Sequence, residues 1–373
     1  MADTGRPGRP FSRRTVLAAG TGAAAAGLGG MFRPAGAAAP TPQQQAGQRV
    51  VFSYSGTTVP QSLLTQISAG QAAGVIFFGD NIGSLAQITA AVQQIRQANA
   101  SSPSSAPLLL MTDQEGGQIR RLPGAPVQSA RQIGASADPA GAAASAGTGA
   151  GNLLRSVGMN VNLAPVLDVY RTAGDFDDQY QRSYSTDPEV VAVCGREFVT
   201  AQRATGVAAA AKHFPGLGSA SAAQNTDLRA VTLPVTLSQL RHIDEIPYTA
   251  ALAAGADLVM VSWAVYPQLD AARPAGLSPT VVQSELRDRF TFTGVTVTDA
   301  IGAGALSGLG TPAQNAVTAA AAGMDLVLDA SGDVAQGQAI VSALAAALQN
   351  GALGAADFDA AVGRIGALRA RLF

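Results

Sequence analysis

Short, uninterrupted apolar runs recur along this 373-residue chain. They alternate with longer stretches in which apolar residues return every third or fourth position. The runs fall at 50–54, 74–79, 108–113, 159–166, 206–211, 257–263, 294–298 and 324–329. A run with no polar alternation predicts a strand covered on both faces, as in a parallel sheet. The stretches between them, such as 60–72, 83–99, 189–204 and 238–254, carry the helical period. Eight strand–helix units in a chain of this length predict an α/β protein, a single-domain (β/α)8 barrel of the TIM type. A doubly wound sheet is the second reading, disfavoured because no Gly-x-Gly-x-x-Gly follows the first strand. Beyond residue 330 the pattern predicts only closing helices, over 333–350 and 356–372.

The beginning of the chain breaks this pattern. Arg6, Arg9, Arg13 and Arg14 precede a weakly apolar run from Thr15 to Phe32, which ends in Ala35-Gly36-Ala37. That order predicts an export signal over 1–37. Its core, Ser12-Arg13-Arg14-Thr15-Val16-Leu17, reads as a twin-arginine address and not as an anchor. The run is too rich in Gly and Ala to span a membrane, so no stable membrane anchor is expected. Residues 38–48 predict a disordered leader, and 49–373 the barrel domain.

Composition narrows the class. Hydrophobic residues make up 47% and charged residues 13%, which excludes a disordered chain. Low charge content, only 5% aromatic residues and no basic stripe argue against nucleic acid as a partner. The single cysteine, Cys194, excludes an intramolecular disulfide and a cysteine-based metal site. Two histidines leave little for zinc. The expected state is a monomer.

A barrel of this type places its chemistry where strands end. Those ends carry Asp80 and Asn81, Asp113-Gln114-Glu115, Asp168, Lys212-His213, Trp263 and Asp299. Lys212 is the only lysine among 24 basic residues. In a chain that otherwise uses arginine, it marks a place that needs a compact ammonium on a flexible stem, or is one surface lysine retained by chance. Asp113 is read as a carboxylate for sugar hydroxyls, or as part of a solvated pair at a helix entry. Asp299 ends a buried run as a catalytic carboxylate, or as the cap of the next helix. The segment Asp177-Asp178-Gln179-Tyr180-Gln181-Arg182-Ser183-Tyr184, taken alone, reads as solvated surface.

Together these motifs resemble glycoside hydrolase family 3, in its single-domain β-N-acetylglucosaminidase branch. Residues 50–370 are covered. The carrying motifs are Gly74-Val75-Ile76-Phe77-Phe78-Gly79-Asp80-Asn81, Asp113-Gln114-Glu115-Gly116-Gly117, Asn162-Leu163-Ala164-Pro165-Val166-Leu167-Asp168, Arg182-Ser183-Tyr184 and Lys212-His213-Phe214-Pro215-Gly216. The resemblance implies that Asp299 is the nucleophile of a retaining mechanism, a hydrolytic chemistry that needs no metal or organic cofactor. It also implies that Asp113, Arg121, Arg182, Lys212 and His213 bind the sugar. The expected activity is exported hydrolysis of β-linked N-acetylglucosamine from cell-wall or chitin-like oligosaccharides, as in peptidoglycan turnover.

One segment departs from the family. Its glucosaminidases carry an Asp-Ser-His acid/base loop after the Lys-His-Phe-Pro-Gly motif. Here Leu217 to Asp227 is two residues longer and contains no histidine. The other histidine, His242, lies in a helical stretch and is read as structural. Asp227 ends the loop and is the candidate acid/base, with a purely loop-stabilising role as the alternative. A β-glucosidase of the same family, or a sugar-binding protein that has lost its acid/base, are the other readings.

Overall fold

The structure is a computed structural model that describes residues 39–104 and 106–373. The export signal expected over 1–37 lies outside the described residues. Eight parallel strands close into a barrel. In chain order they are β1 (Val50–Phe52), β2 (Gly74–Ile76), β3 (Leu109–Thr112), β4 (Val161–Asn162), β5 (Ala208–Phe214), β6 (Leu258–Val261), β7 (Val295–Ala300) and β8 (Leu326–Leu328). Each pairs with its sequence neighbours, and β8 closes on β1 through Val50 and Val327. Every strand lies within, or largely within, one of the apolar runs. The core has two layers because successive side chains point to opposite faces of a strand. Val51, Leu109, Met111, Ala208, Ala210, Leu258, Met260, Val295 and Val297 fill the barrel interior. Val50, Phe52, Leu110, Ala209, Val259 and Val261 face the surrounding helices.

The closing helix Ala355–Arg369 seals the N-terminal end of the barrel. Its Ile365 and Leu368 belong to the interior cluster. Buried Arg369 donates to the carbonyls of Ala106 and Pro107, just before β3. Arg364 donates to Asp325, just before β8. Among the described residues this leaves the strands' C-terminal end as the open end of the barrel.

The disordered leader expected over 38–48 is corrected where the structure describes it. Pro42–Gly47 is a helix closed by a reciprocal capping box between Thr41 and Gln44. Ala46 is fully buried, and Gln48 donates to the Gly70 carbonyl at 2.8 Å. Thr41-Pro42-Gln43-Gln44 is the sequence signal of that cap. Its polar, proline-containing composition masked it. Among the described residues no helix is long and apolar enough to cross a membrane.

Candidate active site

The seven residues singled out from the sequence line one cleft of about 280 Å³ at the C-terminal end of the barrel. They are Asp113, Arg121, Arg182, Lys212, His213, Asp227 and Asp299. Asp113 follows β3 directly. The chain then forms a tight hairpin, Gln114–Gly116 against Ile119–Arg120. Gly116 and Gly117 have φ of 120° and 54°, and a Cβ on Gly116 would lie 2.4 Å from the Gln128 carbonyl oxygen. Only glycine fits there. The hairpin brings Arg121 back beside Asp113, at 3.9 Å between Nη2 and Oδ2. Gln114 clamps the hairpin, donating to the Leu122 and Ala125 carbonyls and accepting from the Leu122 amide.

Lys212 and His213 both line the cleft, although neighbours in a regular strand face opposite sides. The pairing of β5 with β6 shifts register between Ala211 and Phe214, and this breaks the alternation. Lys212 is 2% exposed. Its Nζ donates to Asp113 Oδ1 and lies equally close to Glu115 Oε1, both at 2.7 Å. Burial alone would push the ammonium down, but Asp113 and Glu115 outweigh it and hold Lys212 above its ordinary value. The ammonium has three donors, and the two carboxylates account for two.

Glu115 was not singled out from the sequence. It is buried and takes a two-point bond from Arg182, at 2.9 Å from Nε and 2.8 Å from Nη2. Burial would raise its carboxyl, but Arg182 and Lys212 bring it down to about 2. Arg182 also donates to Asp177 Oδ1 at 2.5 Å. The segment read as solvated surface is therefore only partly at the surface: Asp177, Asp178, Ser183 and Tyr184 are buried, whereas Gln179 and Gln181 are exposed. Tyr180 remains at the surface and lines the cleft.

A second buried pair fixes His213. Its Nδ1 lies 2.7 Å from Asp168 Oδ2. An ionised carboxylate can only accept, so Nδ1 carries the proton. Burial opposes protonation of His213, yet Asp168 dominates and raises the imidazole. Asp168 is fully buried and also accepts from the Leu217 amide at 2.6 Å. It is held below the usual carboxylate range: burial opposes this, and His213 and the amide prevail. Burial, with Asp168 alongside, pushes Asp177 up to about 7 against the pull of Arg182.

The 217–227 loop is tied down beside β7. The Gly304 amide donates to the Asp227 carbonyl at 2.8 Å, and the Ala305 amide to the Thr226 carbonyl at 2.9 Å. These bonds link the loop to the turn Gly304–Leu306, which closely follows Asp299. Asp299 is half-buried and accepts from the Ala300 amide at 2.7 Å. Asp227 stands exposed at the cleft rim. Partial enclosure, then the nearby Asp299 charge, raise its carboxyl. Neither carboxylate enters an ion pair among the described residues. Asp113, Glu115, Arg182 and Lys212 thus form a neutralised, hydrogen-bonding floor, and Asp227 and Asp299 are left uncommitted. His242 is exposed and lies away from the cleft, its Nδ1 3.0 Å from the Ser238 carbonyl. Asn81 bonds the Tyr54 and Gly56 carbonyls and the Phe78 amide, bracing two loops. Trp263 is buried and donates to the Ala300 carbonyl.

The pattern of the Glycosyl hydrolase family 3 N terminal domain matches residues 47–368. An uncharacterized secreted glycosyl hydrolase of Arthroderma benhamiae is 45% identical over 330 residues, covering 88% of this chain and 93% of its own. A β-hexosaminidase of Xylella fastidiosa is 34% identical over 341 residues, covering 87% and 97%. The solved structure of a glycoside hydrolase family 3 β-N-acetylglucosaminidase from Paenibacillus superimposes with a TM-score of 0.84 at 33% identity. That likeness covers 89% of this chain and 63% of the Paenibacillus chain.

Proposed function

The chain belongs to glycosyl hydrolase family 3, and from that premise we propose that it is a retaining β-N-acetylhexosaminidase that removes terminal β-linked N-acetylglucosamine. The observation that carries this reading is one cleft holding a charge-neutralised polar floor beside two uncommitted carboxylates. Asp299 attacks the anomeric carbon and forms a covalent glycosyl-enzyme. Asp227 protonates the leaving oxygen, then takes the proton of the incoming water. Esterification removes the negative charge of Asp299 and with it one of the forces raising Asp227. The same group is therefore protonated, as an acid must be, in the first step and more readily ionised, as a base must be, in the second. Asp113, Arg121, Arg182, Lys212 and His213 orient hydroxyls and acetamido group, and accelerate the reaction where their bonds tighten toward the transition state.

The names of the Xylella and Paenibacillus relatives support N-acetylglucosamine over glucose as the sugar. The test is a screen of aryl β-N-acetylglucosaminide against aryl β-glucoside, with the natural disaccharides alongside. Hydrolysis of the N-acetylglucosaminide is expected. Preference for the glucoside makes the enzyme a β-glucosidase. Binding without cleavage of any aryl glycoside makes it a sugar-binding protein, the reading that the histidine-free loop favours.

The substrate is proposed to be met outside the cytoplasm, in cell-wall or chitin-like fragments, by a monomeric protein. The basic and apolar order of residues 1–37 and the secreted Arthroderma relative support export. The secreted protein is expected to begin near residue 38. N-terminal sequencing that finds Met1 on exported material would falsify this.

A further inference from the structure

The cleft volume of about 280 Å³ sits at the lower edge of the roughly 300–1,000 Å³ found for sites of drug-sized ligands. It has room for one substituted pyranose, whose hydroxyls meet Asp113, Arg182 and Lys212. The group on the anomeric oxygen must then lie at the rim, on the side of Asp227. That rim has an unusual composition. Among the described residues the exposed large hydrophobic side chains are Leu85, Val127, Tyr180, Leu228 and Leu309. Val127, Tyr180, Leu228 and Leu309 lie between the C-terminal end of a barrel strand and the next α-helix, and Leu85 is the first residue of such a helix. Single exposed apolar residues need no explanation. Their confinement to one end of a barrel, the end that carries the cleft, does.

Tyr180 is the one of the five that lines the cleft, and it is 41% exposed. Its ring meets Phe176 edge-on, with centroids 6.5 Å apart and an interplanar angle of 87°. The loop beneath it is fixed before any ligand arrives. Asp178 Oδ2 accepts from the Gly174 amide at 2.7 Å and from Arg131 Nη1 at 2.8 Å. Ser129 Oγ donates to Gln181 Oε1 at 2.9 Å. A preorganised aromatic ring beside a sugar-sized pocket suits a second pyranose. A β-linked pyranose offers a flat face of axial C–H groups to an aromatic ring while its hydroxyls stay in water.

We propose that Tyr180 is the platform for the leaving-group sugar, so that the preferred substrate carries a second pyranose as its aglycone. This rests on the hydrolytic reading above. The test compares N,N′-diacetylchitobiose with N-acetyl-β-glucosaminyl fluoride, whose leaving group is a single atom too small to reach Tyr180. Tyr180→Ala is expected to lose about three- to tenfold in kcat/KM on the disaccharide, mainly through KM. The fluoride should be cleaved as by the unchanged enzyme, and Tyr180→Phe should keep the disaccharide activity. Equal losses on both substrates overturn the proposal, because Tyr180 then acts by packing on Phe176. No loss on either overturns it as well. An unchanged enzyme that cleaves neither substrate refutes the hydrolytic reading itself, a result distinct from failure of the platform alone.

Discussion

Asp299→Asn is expected to lower glycoside hydrolysis by at least about 10³-fold while leaving the fold and sugar affinity in place. The asymmetry follows from what Asp299 touches. Among the described residues its one side-chain hydrogen bond is accepted from the Ala300 amide, and the carbonyl oxygen of an asparagine accepts it equally well. The side chain is half-buried and enters no ion pair among the described residues, so the change in folding stability should stay below about 1 kcal/mol. An amide is a poor nucleophile, and the reaction loses its first step. A 5-fluoro N-acetylglucosaminyl fluoride should trap the intermediate, with mass spectrometry placing the sugar on Asp299. A label on another carboxylate sinks the assignment. An Asp299→Asn enzyme that keeps near-normal turnover points instead to attack by the substrate's own acetamido group.

The fold was legible because its signal is repeated. Eight apolar runs predicted eight strands, and each run yielded one. Their lengths were less legible. The run 159–166 gave only Val161–Asn162 as regular strand, because Pro165 has no N–H for the ladder. The expected helix 238–254 is instead a short turn, a widened turn over Leu240–Asp244 and the helix Ile246–Ala253. Pro247 explains the break: it fits only the first turn of a new helix.

The site was legible where a chemical type is rare in its surroundings and obscure where burial decides the role. Lys212 stood out as the lone lysine, and it proves to lie between two carboxylates. Glu115 looked like the solvated partner of Asp113. It is instead buried under Arg182, which lies 67 residues away in the chain. Asp177 stood in a polar segment and was read as surface for the same reason. A carboxylate's burial depends on which arginine the fold delivers to it, and no local pattern records that. Asp168 likewise acquires its role only when β4 and β5 run side by side and set it against His213.

Asp227→Ala is expected to separate substrates by their leaving groups. Losing a general acid costs about 10²–10⁴ in rate, but only where the departing oxygen needs a proton. Natural disaccharides should therefore be turned over very slowly, while the first step on a nitrophenyl glycoside is spared. Azide should restore the second step, because it attacks the glycosyl-enzyme without a base. The pH profile supplies an independent check. Asp227 acts as acid in its protonated form, so activity falls as pH rises through its folded-state value. Enclosure and the charge of Asp299 place that fall above the range of an ordinary carboxyl, and the variant should lose this alkaline limb. Gly304→Ala approaches the same residue from behind. A Cβ there would lie 2.3 Å from the Leu228 carbonyl carbon, so the loop must shift although no group in the cleft is altered. A displacement near 1 Å can cost about 10²-fold, and the loss should again be greater on disaccharides than on nitrophenyl glycosides. If Asp227→Ala slows both substrate classes equally and azide has no effect, Asp227 only stabilises its loop.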